Sequence, residues 1–365
     1  MVSRTENRRT YLNQSLPMES RENISRLGCG DAALCHLRFK STRLSSTADG
    51  FVRAKIAHMI RELDIEFLMS GDPVIRWQTM RDLLDRPESD WQAERAKVAT
   101  QGWGAEFMAH LGPDGNWPNA RWTANVWTMT LLVELGIPPN DARFEAAFER
   151  VVCRLMPKGK DVPTEVLKTD MDQCHLGFWL RIGSYFHPND ERLPLIANAI
   201  LSMQFADGGW NCRIRTKPKT NHSSFHTTFN VLEGLREAAA ARVIDQKTFQ
   251  EAESQAIEFM LQHKMYRSDK TGDIVHERFL DLSYPSYWHY TVLRGLDNIR
   301  QSQFIRDSRL DDPLSLIESQ RKSNGRWIVE KRIPGVTLFD MEKMGQDSRW
   351  NTLRALRVLK AAGRS

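Results

Sequence analysis

No run of 18 or more apolar residues occurs in this 365-residue chain, and its start carries no apolar core behind a basic segment. The first absence excludes a membrane-spanning helix. The second argues against a secretory leader, so the chain reads as cytoplasmic. Cysteine is scarce, with five residues at positions 29, 35, 153, 174 and 212 and no CxxC pair among them. An odd, scattered set excludes a disulfide framework and suits a reducing compartment. Glycine loops that cradle phosphates, GxGxxG or the P-loop, are missing, which excludes a nucleotide cofactor. Neither sign of charge dominates: the net charge is +5, and much of that excess lies in the first 53 residues, among them Arg8, Arg9, Arg38, Lys40 and Arg43. Rich in Ser, Asn and Thr and without a helical period, residues 1–52 read as a disordered extension. Basic residues do not interleave with aromatics along one surface, so nucleic acid is not an expected partner. Strand-like alternation is wanting as well.

What is present is a helical repeat. "RWQTMRDL" (Arg76–Leu83) and "RWNTLRAL" (Arg349–Leu356) agree at five of eight positions, although they stand near opposite ends of the chain. "HYTVLRGL" (His289–Leu296) keeps the frame at Arg294 and Leu296, with Thr291 one place earlier, while Thr227–Leu235, Asn125–Leu135 and His175–Phe186 are looser copies. Ahead of each copy lies an amphipathic stretch: Arg53–Ser70, Trp91–Leu111, Ala142–Met156, Arg192–Gln204, Thr248–Lys264 and Asp312–Lys322. Phe144, Phe148, Val151, Val152 and Leu155 show the three-and-four spacing of a helix with one buried face. Later copies are apolar nearly all round, as helices covered on both sides are. Six hairpins follow, each an outer amphipathic helix and an inner apolar one. A linear solenoid needs polar caps. Here the first and last units resemble each other most, so the expectation is an all-α ring, an α/α toroid or (α/α)6 barrel, formed as a single domain by residues 53–365.

Three linkers repeat a second pattern: "GPDGNW" (Gly112–Trp117), "QFADGGWNC" (Gln204–Cys212) and "QRKSNGRW" (Gln320–Trp327). Glycine after Asp or Asn permits a positive φ, and the tryptophan then packs across the hairpin, a structural role first of all. With these turns the chain resembles the QW-repeat superfamily of squalene–hopene cyclases and protein prenyltransferase β subunits, above all short bacterial single-toroid proteins of squalene-cyclase type. The likeness runs over residues 60–361. It implies an apolar central cavity for an isoprenoid or similar substrate, and contact with a membrane surface for substrate uptake.

In such a ring the starts of the inner helices converge. They carry Arg121 and Trp122; Asp170, Asp172 and Cys174; Phe225 and His226; Tyr287, Trp288 and His289; and Arg349 and Trp350. Carboxylate, thiol and imidazole among aromatics make a candidate active site. Zinc takes three protein ligands and keeps a fourth position open for catalysis. The resemblance to the prenyltransferases implies Asp172, Cys174 and His226 as those ligands, in "DQCHLGFW" and "DGGW…SSFHTTFNVLEGL". It places Phe225 where the family has a tyrosine and Trp179 one position beyond the family's tryptophan. The cyclases' Asp-x-Asp-Asp acid motif survives as Asp170-x-Asp172, with Gln173 in third place, so Asp172 is the alternative acid of a metal-free cyclase. Cys174 is a thiolate candidate with or without zinc. The bland reading is a buried Cys174 beside an N-capping Asp170 or Asp172.

His289 reads equally as a general base, a supporting group or a wall residue. Arg121 and Arg349 suit a diphosphate, or a salt bridge to Asp347 or Glu342. Trp122, Trp179, Phe225, Tyr287, Trp288 and Trp350 line the expected cavity and face developing cations. "DDPLS" (Asp311–Ser315) lacks the last aspartate of a DDxxD motif. A non-catalytic binding ring is the reading from another class. A polysaccharide-cleaving toroid would need paired carboxylates in an open cleft, for which the inner-helix starts are too aromatic.

Overall fold

The computed structural model describes residues 62–153, 155–160 and 163–364. The expected extension over 1–52 and the first part of the expected Arg53–Ser70 helix lie outside them. Regular structure among the described residues is helical, and pairing of extended segments is limited to three isolated bridges. No helix there is long and apolar enough to cross a membrane. After a helical stretch at 62–69 come α1 (Pro73–Asp82), α2 (Glu88–Ala96), α3 (Gly102–Ala109), α4 (Asn125–Leu135), α5 (Arg143–Val152), α6 (Thr164–Asp170) and α7 (Gln173–Phe186). The chain continues through α8 (Leu193–Ser202), α9 (Phe225–Ala240), α10 (Gln246–Gln262), α11 (Val292–Ile299), α12 (Asp311–Ser319) and α13 (Arg349–Ala362).

The two helix types differ in burial as their sequences dictate. Helix α9 buries residues on every side, from Phe225 through Thr228, Val231 and Gly234 to Ala239. Helix α5 buries a single stripe, Phe144, Ala147, Phe148 and Val152. Two expectations are corrected. The stretch Trp91–Leu111 is not one helix: a 3-10 turn at Lys97–Ala99 and a left-handed Gly102 (φ 64) divide it into α2 and α3. Asp72 holds that break, accepting from the Trp103 backbone N–H at 2.7 Å. Helix α6 was hidden in the approach to α7, because its seven residues are too few to set up a period.

The glycine–tryptophan turns are built alike. Trp117, Trp210 and Trp327 are fully buried. Each indole N–H donates at 2.8 Å to a carbonyl near the end of the preceding helix: Phe107, Ile200 and Ile317 respectively. Each tryptophan's backbone N–H reaches a side chain of the following inner helix: Asn125, Thr228 and Thr352. The indole thus satisfies an orphan carbonyl of the helix end while bridging both arms of a hairpin. The turn glycine seats on the next outer helix. Gly208 has φ 98, and a Cβ there would lie 2.1 Å from the Gln255 carbonyl of α10. Gly325 (φ 89) seats instead on Asp64, in the helical stretch at the start of the described chain, and Arg321 donates to the same Asp64 at 2.7 Å. The last turn therefore touches the first helix.

Inner helices α1, α4, α7, α9, α11 and α13 also share a common cavity. Each contributes at least one charged residue to it, among them Arg81, Glu134, Arg181, Glu233, Arg294 and Arg354. Glu233 accepts from Arg181 (2.6 Å) and Arg294 (2.8 Å), and Glu134 from Arg354 (2.5 Å). Arg357 of α13 pairs with Asp297 of α11 (2.5 Å) and Asp82 of α1 (2.9 Å), so last and first inner helices are joined.

Candidate functional site

The starts of α4, α7, α9 and α11 carry bulky rings in place of first-turn carboxylates. Trp122 lies in a 3-10 turn, Arg121–Thr123, that leads into α4. Tyr287, Trp288 and His289 sit in the loop before α11, whose first helical residue is Val292. Arg121 (φ 41) and Tyr287 (φ 47) both hold left-handed backbone, which costs a non-glycine residue of order 1–3 kcal/mol. That strain holds Trp122 and Tyr287 face to face, 4.5 Å between centroids and 11° from parallel. Trp127 meets Trp122 edge-on at 5.4 Å and Phe178 at 5.0 Å, and approaches His175 at 6.1 Å. Trp288 lies over His289 (3.9 Å) and against His226 (5.0 Å). Indole and phenol faces of this kind stabilise a cation or bury an apolar chain.

Both histidines are uncharged at neutral pH. Burial, helped by the neighbouring His289 and His276, pushes His226 down to about 4, and burial pushes His289 down to about 4. The Tyr290 backbone N–H donates to His226 Nδ1 at 2.9 Å. The neutral ring must therefore carry its proton on Nε2. His289 Nδ1 is buried without a hydrogen-bond partner among the described residues.

Beside this wall is a cavity of about 510 Å³ lined by Cys174, Cys212, Phe225, His226, Phe279 and Trp288, among others. Cys212 Sγ is placed opposite the start of α7. It accepts the Cys174 backbone N–H at 3.3 Å and the Thr227 hydroxyl at 3.4 Å. The Cys174 thiol donates to it as well, and this contact outweighs burial, bringing Cys212 down to about 7. The same hydrogen bond, with burial, drives Cys174 upward. Cys212 is the more acidic thiol of the pair. Sequence reasoning singled out Cys174 and passed over Cys212, which was in view inside "DGGWNC" at the end of a structural turn.

The expected zinc ligands do not form a ligand set. Nδ1 of His226 is occupied by an amide hydrogen and Nε2 bears the proton, so neither offers the lone pair that a metal needs. Asp172 accepts from Arg215 at 2.8 Å and does not line the thiol cavity. Among the described residues no three of His, Cys, Asp and Glu are grouped to hold a metal ion.

The remaining expected residues scatter. Asp172 occupies the N-cap position of α7 without making a side-chain cap, and Asp170 accepts from Thr169 at 2.9 Å. Trp179 lines a separate hollow with His175 and Arg215. Phe225, although it lines the thiol cavity, packs mainly against Phe259, Phe279 and Tyr290. Trp350 is fully buried and stacks on Tyr284 at 4.8 Å. Neither expected arginine makes the salt bridge foreseen with Asp347 or Glu342. Arg121 donates to the Pro334 carbonyl (3.2 Å), which also takes the Trp122 indole N–H (2.7 Å). Arg349 lies 4.4 Å over the Phe67 ring and donates to the Phe67 carbonyl at 2.9 Å, fastening α13 to the 62–69 stretch. Compared with family models, with curated proteins and with solved structures, the chain matches none.

Proposed function

We propose that the chain is a closed α/α toroid of the terpenoid cyclase and prenyltransferase kind, and that it takes an apolar, isoprenoid-type molecule at the pole where its inner helices begin. Closure of the ring is supported by the Gly325–Asp64 seat, the Arg357–Asp82 pair and the cavity to which all six inner helices contribute. The function rests on one observation: Trp122, Trp127, Tyr287, Trp288, His226 and His289 converge from separate inner-helix starts beside a thiol-bearing cavity. In this reading Cys212 supplies the nucleophile and neutral His226 a hydrogen-bond donor at Nε2, with no metal in the step. A non-catalytic binding ring is the second reading, favoured by the engagement of Asp172 with Arg215, which takes the expected acid away from the cavity.

Tryptophan fluorescence during titration with farnesol, farnesyl diphosphate and squalene tests the proposal. Saturable quenching is expected, weakened about tenfold or more by Trp288→Ala, a loss of about 1.4 kcal/mol. Product formation abolished by Cys212→Ser would mark an enzyme; binding without turnover would mark the binding ring. No saturable response to any of the three would overturn both.

A further inference from the structure

A hollow of about 390 Å³ lies among the inner helices, lined by eight arginines and four carboxylates. Asp82 pairs with Arg81, Arg300 and Arg357 from behind, and Glu253 with Arg236. Eight cations against six carboxylates leaves a surplus of two.

Arg95 has no carboxylate; it donates to the Gly136 carbonyl (2.8 Å), Gln92 (3.2 Å) and the Tyr185 hydroxyl (2.8 Å). Arg181 uses Nη1 alone, on a Glu233 that it shares with Arg294. Its Nε and Nη2 make no bond among the described residues. Glu237 lines the hollow without a hydrogen bond or ion pair among them, although Arg95, Arg181 and Arg236 are near it. Burial, with Glu233 adding to it, raises that carboxyl above the ordinary range. Asn298 Oδ1 in the same wall is buried and unpartnered. A purely structural ion-pair network would collapse onto itself and pair these groups.

We propose that this hollow is a binding site for a small, multiply charged oxyanion, taken by the free fork of Arg181 and the surplus charge around Arg95. Guanidinium forks match carboxylate and phosphate oxygens in pairs. Trp77 and Trp91 flank the hollow and report on its occupancy. The inference is independent of the isoprenoid reading, which concerns the other pole.

The test is titration of the whole chain with citrate and with inorganic phosphate at constant ionic strength, followed by calorimetry and tryptophan fluorescence, with acetate as the monovalent control. One saturable site per chain is expected for citrate or phosphate and none for acetate. Arg181→Gln, which leaves Glu233 paired with Arg294, is expected to weaken binding about tenfold or more while the melting temperature without ligand stays close to wild type. Should that variant not fold, Arg95→Lys keeps the charge, loses the fork, and is expected to weaken binding severalfold. Absence of a saturable site in the folded wild type, equal responses to acetate and citrate, or unchanged affinity in a folded variant would each overturn the proposal.

Discussion

Replacing Asp297 by Asn is the most severe single test of the charged pole. The carboxylate takes two bonds from Arg357 (2.5 Å each), one from Arg300 (3.0 Å) and one from Arg354 (3.2 Å), and all four side chains are nearly buried. Burial alone would raise its pKa, but Arg357 and Arg300 outweigh it and hold the carboxyl below the ordinary range. In the variant three guanidiniums must share Asp82 and Glu134, so one buried cation loses its counter-charge. Removing one partner of a buried pair costs about 3–5 kcal/mol. At roughly 2 °C per kcal/mol for a domain of this size, the melting temperature should fall by about 6–10 °C. Because the folded pKa is depressed, this stabilisation is present above the unfolded carboxylate value of about 3.9 and is lost as pH falls through the folded one. The gap between wild type and variant, measured by urea unfolding, should therefore be full at pH 7 and shrink below about pH 4. Lys158→Ala, which breaks the exposed Lys158–Glu145 pair (3.2 Å), is the control and should cost less than about 0.5 kcal/mol. An Asp297→Asn variant within 1 kcal/mol of wild type at pH 7 would refute the reasoning.

Cys212 should react with iodoacetamide along a pH profile centred at about 7, below the ordinary thiol value of about 8.5. Cys174→Ala should move that midpoint upward by removing the thiol donor; a wild-type midpoint at the ordinary value would remove Cys212 as the nucleophile. Gly208→Ala places a side chain on left-handed backbone and 2.1 Å from the Gln255 carbonyl. It should destabilise by about 2–3 kcal/mol in urea, and a neutral result would mean the turn does not seat on α10.

Legibility followed locality. The glycine–tryptophan turns could be read because their chemistry is short-range: a left-handed glycine, an indole, and a helix end ten residues back. Outer and inner helices were distinguishable because burial of a stripe and burial all round leave different spacings, as in α5 and α9. Helix α6 and the break between α2 and α3 escaped for the converse reason, one being too short for a period and the other fixed by Asp72, about thirty residues away in sequence. The site was harder. Trp122, Tyr287, Trp288 and the histidines were found through the convergence of helix starts. Ligand roles for Asp172 and His226 could not be judged without knowing that Arg215 and the Tyr290 amide reach them first.

The charged pole was nonetheless written in the sequence. Within each inner helix the repeat carries a charge: Arg81, Glu134, Arg181, Glu233, Arg294, Arg354. Alone, any of these passes for a solvated residue or a local salt bridge; only the ring of six makes them a set. The starts of α4, α7, α9 and α11 meet through their rings, and the charged positions of all six inner helices gather around the arginine hollow. A thiolate is favoured beside a helix start, where Cys212 lies against α7. At the hollow the arginines outnumber the carboxylates, which leaves a surplus of cations. That surplus exceeds what the carboxylates present can neutralise, so the second pole is the one where an added anion has most to gain.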